Sequence, residues 1–556
     1  MKRNRVLTWL GVAVLSLSVG FISEVNDDYL EISKNLDIFG HLYREVNTLY
    51  VDDTDPSKLM RTGIDAMLSS LDPYTNFIGE EDLEDFRFMS TGQYGGIGAL
   101  VGKRQNKIVI LEPYADTPAD QAGLKAGDQI VEVNGQAVDG NTMAVLDVRN
   151  LLRGSRGTTI SMKIKRPGID SPLTLSIRRD RIVVDNVSYT GWVEDGIGYI
   201  ALSGFTQDAG KEVQEAVSRF QKENPQLKGL ILDLRNNPGG RLDESIRIAN
   251  VFLEQRELIV ETRGRIQGSK QSYYAQRPPI APKVHLAVLV NRGSASASEI
   301  VAGAIQDLDR GVIIGQRSFG KGLVQNIRPL AYRTQLKVTT AKYYTPSGRC
   351  IQAINYAERN EDGSVSRIPD SLRSSFQTQA GRVVRDGGGI GPDIEVEKAA
   401  LPLVARALQN QGLIFNYVTQ YVAEHPEISS PEEFELDEAS YQDFIKFTQT
   451  AEFSYQTPAD KELEALKETV EEEAYAELLN EELLALEKEL AQQKEDDLSK
   501  YRAPISRLIK EEILTRYYYE AGAIKGMITE DPEVAAAIEI LNQPKDYEKI
   551  LQGEEK

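Results

Sequence analysis

The sequence predicts a multidomain chain: a helical N-terminal region, a small glycine-punctuated β domain, an α/β core and an acidic α-helical C-terminal region. Three observations carry that reading. At 556 residues, and roughly 150 residues per domain, three to four domains are expected. The hydrophobic period changes along the chain, from helical spacing before residue 90, to short strands, to alternating strand and helix between Val183 and Leu401. The net charge of −20 is unevenly spread, with much of the acid after Glu432.

Composition narrows the function classes. Hydrophobic residues make up 41% of the chain, enough for packed cores and too many for wholesale disorder. The acidic balance argues against nucleic acid and anionic membrane surfaces as partners. Cys350 is the only cysteine, so no intrachain disulfide and no thiolate metal cluster can form. His41, His285 and His425 are too scattered for a metal-binding spacing, and no cofactor is expected. Residues 1–23 read as a signal peptide or signal anchor: Lys2, Arg3 and Arg5 precede an apolar run from Leu7 to Ile22. Ser18 and Gly20 suit a cleavage site, so cleavage and retention are both open. The body is expected outside the cytoplasm, in the periplasm or on the outer face of the cytoplasmic membrane.

The elements follow in order. Residues 29–90 carry helical spacing, with Leu30, Leu36, Leu42 and Leu49 apolar, and suggest a packing or dimerisation unit. Asp55-Pro56 suits a helix start, and Leu71-Asp72-Pro73 a stop. Residues 91–182 turn to strands: Ala99-Leu100-Val101, Lys107 to Ile110, Gln129 to Val133 and Thr159 to Lys165, with Asn134-Gly135 as a hairpin signal. A glycine loop, Gly96-Ile97-Gly98, precedes the first of them. This stretch resembles a PDZ domain. The resemblance implies that a peptide adds as a strand, its carboxylate held by the N–H groups of Gly96, Ile97 and Gly98. A dinucleotide site is excluded, because a strand and not a helix follows the glycines.

From residue 183 to 401, strands Ile197 to Leu202, Gly229 to Arg235 and Val284 to Val290 alternate with helices over Lys211 to Lys222 and Leu242 to Glu254. That pattern predicts a mainly parallel sheet with ligands at the carboxyl ends of its strands. There lie the turns Asn236-Asn237-Pro238-Gly239-Gly240 and Gly293-Ser294-Ala295-Ser296-Ala297-Ser298. Beyond Pro402, Glu462 to Leu498 reads as one long solvated helix, and Arg502 to Leu551 as a further helical unit with no visible chemistry.

The serine-rich turn opens a helix, whose N-terminal N–H groups favour a developing anion. Ala297 supplies one oxyanion donor there, and Gly239 or Gly240 a second. No histidine is placed to act as base, but a desolvated lysine can be one, and Lys321 stands between Gly320 and Gly322 beside Phe319. Gln325, four residues on, suits the orientation of its amine. Rival motifs fail. Gly315 to Lys321 lacks the final Ser or Thr of a phosphate-binding loop, Glu299 stands where a Ser-x-x-Lys pattern needs lysine, and Ala295 occupies the centre of a would-be Gly-x-Ser-x-Gly elbow. Read alone, the stretch leaves three serines, and also a mere strand–helix joint, open.

Gly293 to Glu299, Phe319-Gly320-Lys321-Gly322 and Gln325 resemble the active-site motifs of carboxyl-terminal processing, or tail-specific, serine proteases. So do Leu71 to Tyr74, Leu232 to Gly240, Tyr344 to Gly348 and Gly391 to Ile394. Lys321 follows Ser296 by 25 residues, the family's spacing, which selects Ser296 over Ser294 and Ser298. The resemblance implies a crotonase/ClpP-like core over residues 183–401, which N-terminal segments also join. It implies Ser296 as nucleophile, Lys321 as general base and Gln325 as its orienting partner, with Glu299 and Asp307 in supporting positions. It further implies protein substrates with apolar C-terminal tails. A homo-oligomer is expected, and residues 402–556, which depart from the family's minimal form, are expected to meet a regulatory or adaptor partner. The competing function is a catalytically silent PDZ adaptor.

Overall fold

The computed structural model describes residues 29–554 apart from 361, 398–399 and 474–475, so the expected signal segment lies outside the described residues. Among them, no helix is long and apolar enough to cross a membrane. The chain forms two compact units: Met1–Glu80 with Gln325–Thr339, and Glu81–Val324 with Thr340–Lys556.

In the first unit, helices cover residues 29–49 and Pro56–Ser69. Asp55 caps the second helix by accepting from Ser57 N–H (2.9 Å) and Lys58 N–H (3.1 Å), with Pro56 in the first turn where no N–H is needed. The N-terminal region is not wholly helical. Asp72 accepts from the N–H groups of Tyr74 (2.8 Å) and Thr75 (2.9 Å), and this turn starts a strand, Asn76–Ile78, antiparallel to residues 335–337. Three residues are too few to show a period in the sequence.

The second unit opens with the helix Leu83–Thr91 and then the β domain. Its sheet runs in the order Ala99–Arg104, Lys107–Pro113, Gln129–Val133, Thr159–Lys165, Leu173–Arg178. Asn134 (φ 51) and Gly135 (φ 83) form the two-residue hairpin turn that their types favour. Ile108 with Ile110 and Ile160 with Ile164 alternate into one core, joined across a bulge by Ile130 and Val133, and packed against Val148 and Leu152 of the helix Val145–Leu152. The strand Ala99–Arg104 is one edge of the sheet, paired along one side with Lys107–Pro113.

The α/β core holds a six-stranded sheet in the order Val187–Glu194, Ile197–Leu202, Gly229–Asp233, His285–Val290, Val312–Gly315, Ile394–Glu395. The first pair is antiparallel and the others parallel. Helices Ala209–Glu223, Leu242–Phe252 and Ala297–Asp307 bury one face around Phe205, Phe220, Phe252 and Val301. The second face carries Tyr199, Ile231, Leu289 and Ile314. It is covered by Val534, Ile540, Leu541 and Tyr547 of the C-terminal helices Pro532–Leu541 and Pro544–Gln552. The end of the chain is thus a layer of the core and no mere appendage.

Between these parts, helices Leu403–Asn410, Leu413–Glu424, Glu438–Thr450 and Arg502–Met527 share a core around Tyr441, Phe444, Ile505, Ile509 and Ile513. The single long acidic helix expected over Glu462 to Leu498 is instead two, Pro458–Glu472 and Ala476–Lys500. They meet through Leu463, Val470 and Leu483, with Lys467–Glu487 (2.7 Å) and Lys494–Asp460 (2.9 Å) ion pairs across them. Helix propensity is uniform through the acidic run, so it carries no mark of the break.

Candidate active site

The buried strand His285–Val290 ends in the middle of the sheet and delivers the turn that carries Ser296. The three serines of this turn are used differently. Ser294 donates its hydroxyl to Leu234 C=O (2.8 Å) and accepts from Asn291 N–H (2.9 Å). Ser298 donates to Asn237 C=O (2.9 Å), and both side chains are fully buried. Ser296 retains 7% exposure, and its hydroxyl does not cap the helix Ala297–Asp307 that it opens. Its backbone sits at φ 57, ψ −108, a sparsely populated conformation for a residue with a Cβ. Such strain at a strand–helix joint lifts a side chain out of the turn, as a nucleophile elbow does, although the elbow's sequence pattern is absent.

Gly239 shows how closely the neighbouring turn approaches. A Cβ there would lie 2.6 Å from Ala295 O, 2.7 Å from Ala297 N and 3.0 Å from Ser296 Cβ, so nothing larger than glycine fits. Asn237, fully buried, ties the two turns together. Its C=O accepts from Ala295 N–H (3.0 Å) as well as from Ser298, and its Nδ2 donates to Leu202 C=O (2.6 Å). Its Oδ1 takes the N–H of Gly239 (2.9 Å). That bond gives the Gly239 N–H an acceptor within its own turn. Ala297 opens the helix beside Gly239, and Gly240, at φ 158, bridges to Phe205.

Glu299 joins Ser296 to Lys321. Its side chain is fully buried, one oxygen accepting from Ser296 N–H (2.8 Å) and Lys321 N–H (2.8 Å). The other accepts from Ser318 Oγ (2.5 Å) and Gly320 N–H (2.7 Å). The backbones of Ser296 and Lys321 therefore stand two hydrogen-bond lengths apart across one carboxylate. Burial pushes this carboxyl above its ordinary value, and the four donors draw it back. Lys321, half-buried, is set by its flanking glycines. A Cβ on Gly320 would lie 2.3 Å from Ala353 Cβ, and one on Gly322 2.7 Å from Gln352 N, because this loop lies flat on residues 352–353. Gly322 N–H donates to Gln352 Oε1 (2.7 Å), and Gly320 C=O accepts from Ala353 N–H (2.9 Å).

Tyr343 was not legible in the sequence. Its N–H pairs with Gly322 C=O (2.8 Å) next to Lys321, and its buried phenol faces the Ser296 hydroxyl. Burial raises the phenol's pKa, and Ser296 opposes the rise. Only the pairing of strand Gln335–Tyr344 brings it there.

The remaining candidates are dispersed. Asp307 ends the helix Ala297–Asp307 about 15 Å from its start, at ~1.5 Å per residue. It holds the buried Arg349 guanidinium (2.8 Å) and Ser347 N–H (3.0 Å), so it anchors the far end of the helix and does not support the turn. Gln325 falls in the first unit, where its amide donates to Thr339 Oγ1 (3.2 Å). Gly96, Ile97 and Gly98 are buried at the head of the edge strand Ala99–Arg104. Ile97 C=O accepts from Ala119 N–H (2.7 Å), and Gly98 C=O from Tyr114 N–H (2.9 Å) and Thr117 Oγ1 (2.9 Å).

Residues 196–358 match the model of peptidase family S41, residues 109–166 that of the PDZ domain, and residues 404–541 that of a probable PDZ-protease C-terminal helical domain. A carboxy-terminal-processing protease of Bartonella bacilliformis is 44% identical over 323 residues, which are 58% of this chain and 73% of that protein. The chain belongs to the carboxy-terminal processing protease family. CtpA of Bacillus subtilis, a carboxy-terminal processing protease, is 35% identical over 310 residues, 56% of this chain and 65% of that one. Among solved structures, a photosystem II D1 C-terminal processing protease shares 29% identity with a TM-score of 0.35, covering 66% of this chain and 93% of that chain. As a member of the carboxy-terminal processing protease family, the protein is a serine-type peptidase with a PDZ domain, an S41 core and a helical C-terminal domain.

Proposed function

We propose that this peptidase cleaves proteins at or near their C-terminal tails through a Ser296–Lys321 dyad, outside the cytoplasm. The observation that carries the reading is the single Glu299 carboxylate that holds both residues by their N–H groups, with Ser296 in a strained backbone and its hydroxyl spared from capping. An apolar tail adds as a strand beside Ala99–Arg104, its carboxylate at Gly96-Ile97-Gly98. Neutral Lys321 takes the Ser296 hydroxyl proton as Oγ attacks the scissile carbonyl carbon. The oxyanion faces the N–H groups of Ala297 and Gly240, each such donor being worth ~3 kcal/mol in a transition state. The C–N bond then breaks, the leaving amine takes the proton from Lys321, and an acyl-enzyme remains on Ser296. Water, losing its proton to Lys321, hydrolyses that ester and frees Ser296.

Purified Ser296→Ala and Lys321→Ala variants are each expected to lose cleavage of an unstructured protein by at least about 10³-fold, while still binding a peptide with an apolar C-terminus. Persistent cleavage by either variant refutes the dyad.

A further inference from the structure

Arg235 stands between the strand Gly229–Asp233 and the turn that reaches Ser296, and its charge is met from the far end of the chain. Its Nε lies 3.0 and 2.9 Å from the two Asp233 oxygens, and its Nη2 2.6 Å from one of them. Its Nη1 donates to both Asp531 oxygens (2.9 and 2.8 Å) and to Glu533. Asp233 also accepts from Tyr199 OH (2.6 Å). Asp531 caps the C-terminal helix Pro532–Leu541, taking the N–H groups of Glu533 (3.0 Å) and Val534 (3.2 Å).

Stability alone does not account for this cluster. Three carboxylates surround one guanidinium, all of them largely buried, and buried ion pairs of this kind are often no more stable than apolar packing. Glu533 is 1% exposed, and its Oε1 has no hydrogen-bond partner among the described residues, which costs further stability. What the cluster does fix is the direction in which the chain leaves the strand. Two residues after Arg235, Asn237 holds Ala295 and Ser298 on either side of Ser296 and sets the Gly239 N–H.

We propose that Asp531 and Glu533 are positioning residues for hydrolysis: through Arg235 they hold the turn Asn236–Gly240 against the nucleophile, which makes the C-terminal helical region part of the catalytic apparatus. This rests on the Ser296–Lys321 reading above. In the full-length chain, Asp531→Asn and Glu533→Gln are each expected to lower kcat five- to fiftyfold on a peptide with an apolar C-terminal tail. KM is expected to stay within twofold, and fluorophosphonate labelling of Ser296 to slow in parallel. Asp531→Glu, which keeps the carboxylate, is expected to recover part of the loss and serves where the amide variant fails to fold. Tyr547→Phe loosens the same layer without touching Arg235, since its hydroxyl bonds Leu286 (2.9 Å). It is expected to lower Tm and leave kcat unchanged. All rates are read well below each variant's Tm. Wild-type kcat in the folded Asp531 and Glu533 variants overturns the proposal, and so does an equal kcat loss in Tyr547→Phe. Cleavage that survives Ser296→Ala refutes instead the dyad on which the proposal rests.

Discussion

The residue that decides the site's geometry is Glu299, which neither attacks nor shuttles a proton. A carboxylate only accepts, and here each oxygen is saturated by two donors. Glu299→Gln keeps the shape but turns an NH₂ toward two of those donors and leaves them unpaired in the core. The expected cost is about 2–4 kcal/mol of stability and at least a tenfold loss of kcat, read by thermal melting and peptide cleavage. Wild-type kcat in this variant contradicts the role. At this scale the sequence was informative where the signal is local: the serine-rich turn announced a helix start, and Lys321 stood out between Gly320 and Gly322. It was silent on Tyr343, whose position depends on strand pairing, and it did not separate Asp307 from Glu299. Both are acids on one helix, and only the fold puts them at opposite ends.

At the scale of elements, the PDZ strand Lys107–Pro113 meets the helix Arg502–Met527 across a patch of like charge. Burial pushes the Glu112 carboxyl up to about 7, with Glu520 and Glu512 raising it further and Arg516 opposing. Nearby, Tyr519 breaks that helix at φ 58, ψ −172 and donates its hydroxyl to Asp120 (2.7 Å), strain worth ~1–3 kcal/mol held at the PDZ contact. The sign of the pH effect follows. The folded value lies above the unfolded one of about 4.3, so between them the folded protein keeps a proton that the unfolded chain has lost. Stability falls as pH rises through that window, and the penalty is complete above about 7. Glu112→Gln should therefore stabilise the protein by about 1–2 kcal/mol at pH 8, after allowance for solvent screening, and by little at pH 4.5. Calorimetry at the two pH values checks this, and equal shifts at both contradict it. None of the partners was legible beforehand, because Glu112 and Glu512 are far apart in sequence. The period-2 and period-3.6 patterns had nonetheless placed both elements. The acidic run shows the converse: its uniform helical composition hid the break that makes two packed helices.

For the whole molecule, the main departure from the sequence reading is where the core ends. Strand and helix alternation stops near residue 401, yet the sheet's second face is covered by Val534, Ile540, Leu541, Tyr547 and Leu551. An amphipathic helix announces that it has a buried face but not which surface it buries. Deleting residues 532–556 exposes that face, with the large side chains Tyr199, Ile231, Leu289 and Ile314 on it. At ~1.5–3 kcal/mol each, this loss matches the whole stability of an ordinary domain. The truncated chain is expected to be insoluble or unfolded, as read by circular dichroism and size-exclusion chromatography. A folded, active truncation contradicts this placement of the tail. The catalytic reading stands or falls on Ser296 Oγ being the atom that is acylated. The direct measurement is intact-protein and peptide mass spectrometry after fluorophosphonate treatment. The account predicts one adduct, located on Ser296, absent from Ser296→Ala and strongly slowed in Lys321→Ala. An adduct on Ser294 or Ser298, or undiminished labelling of Lys321→Ala, would contradict it.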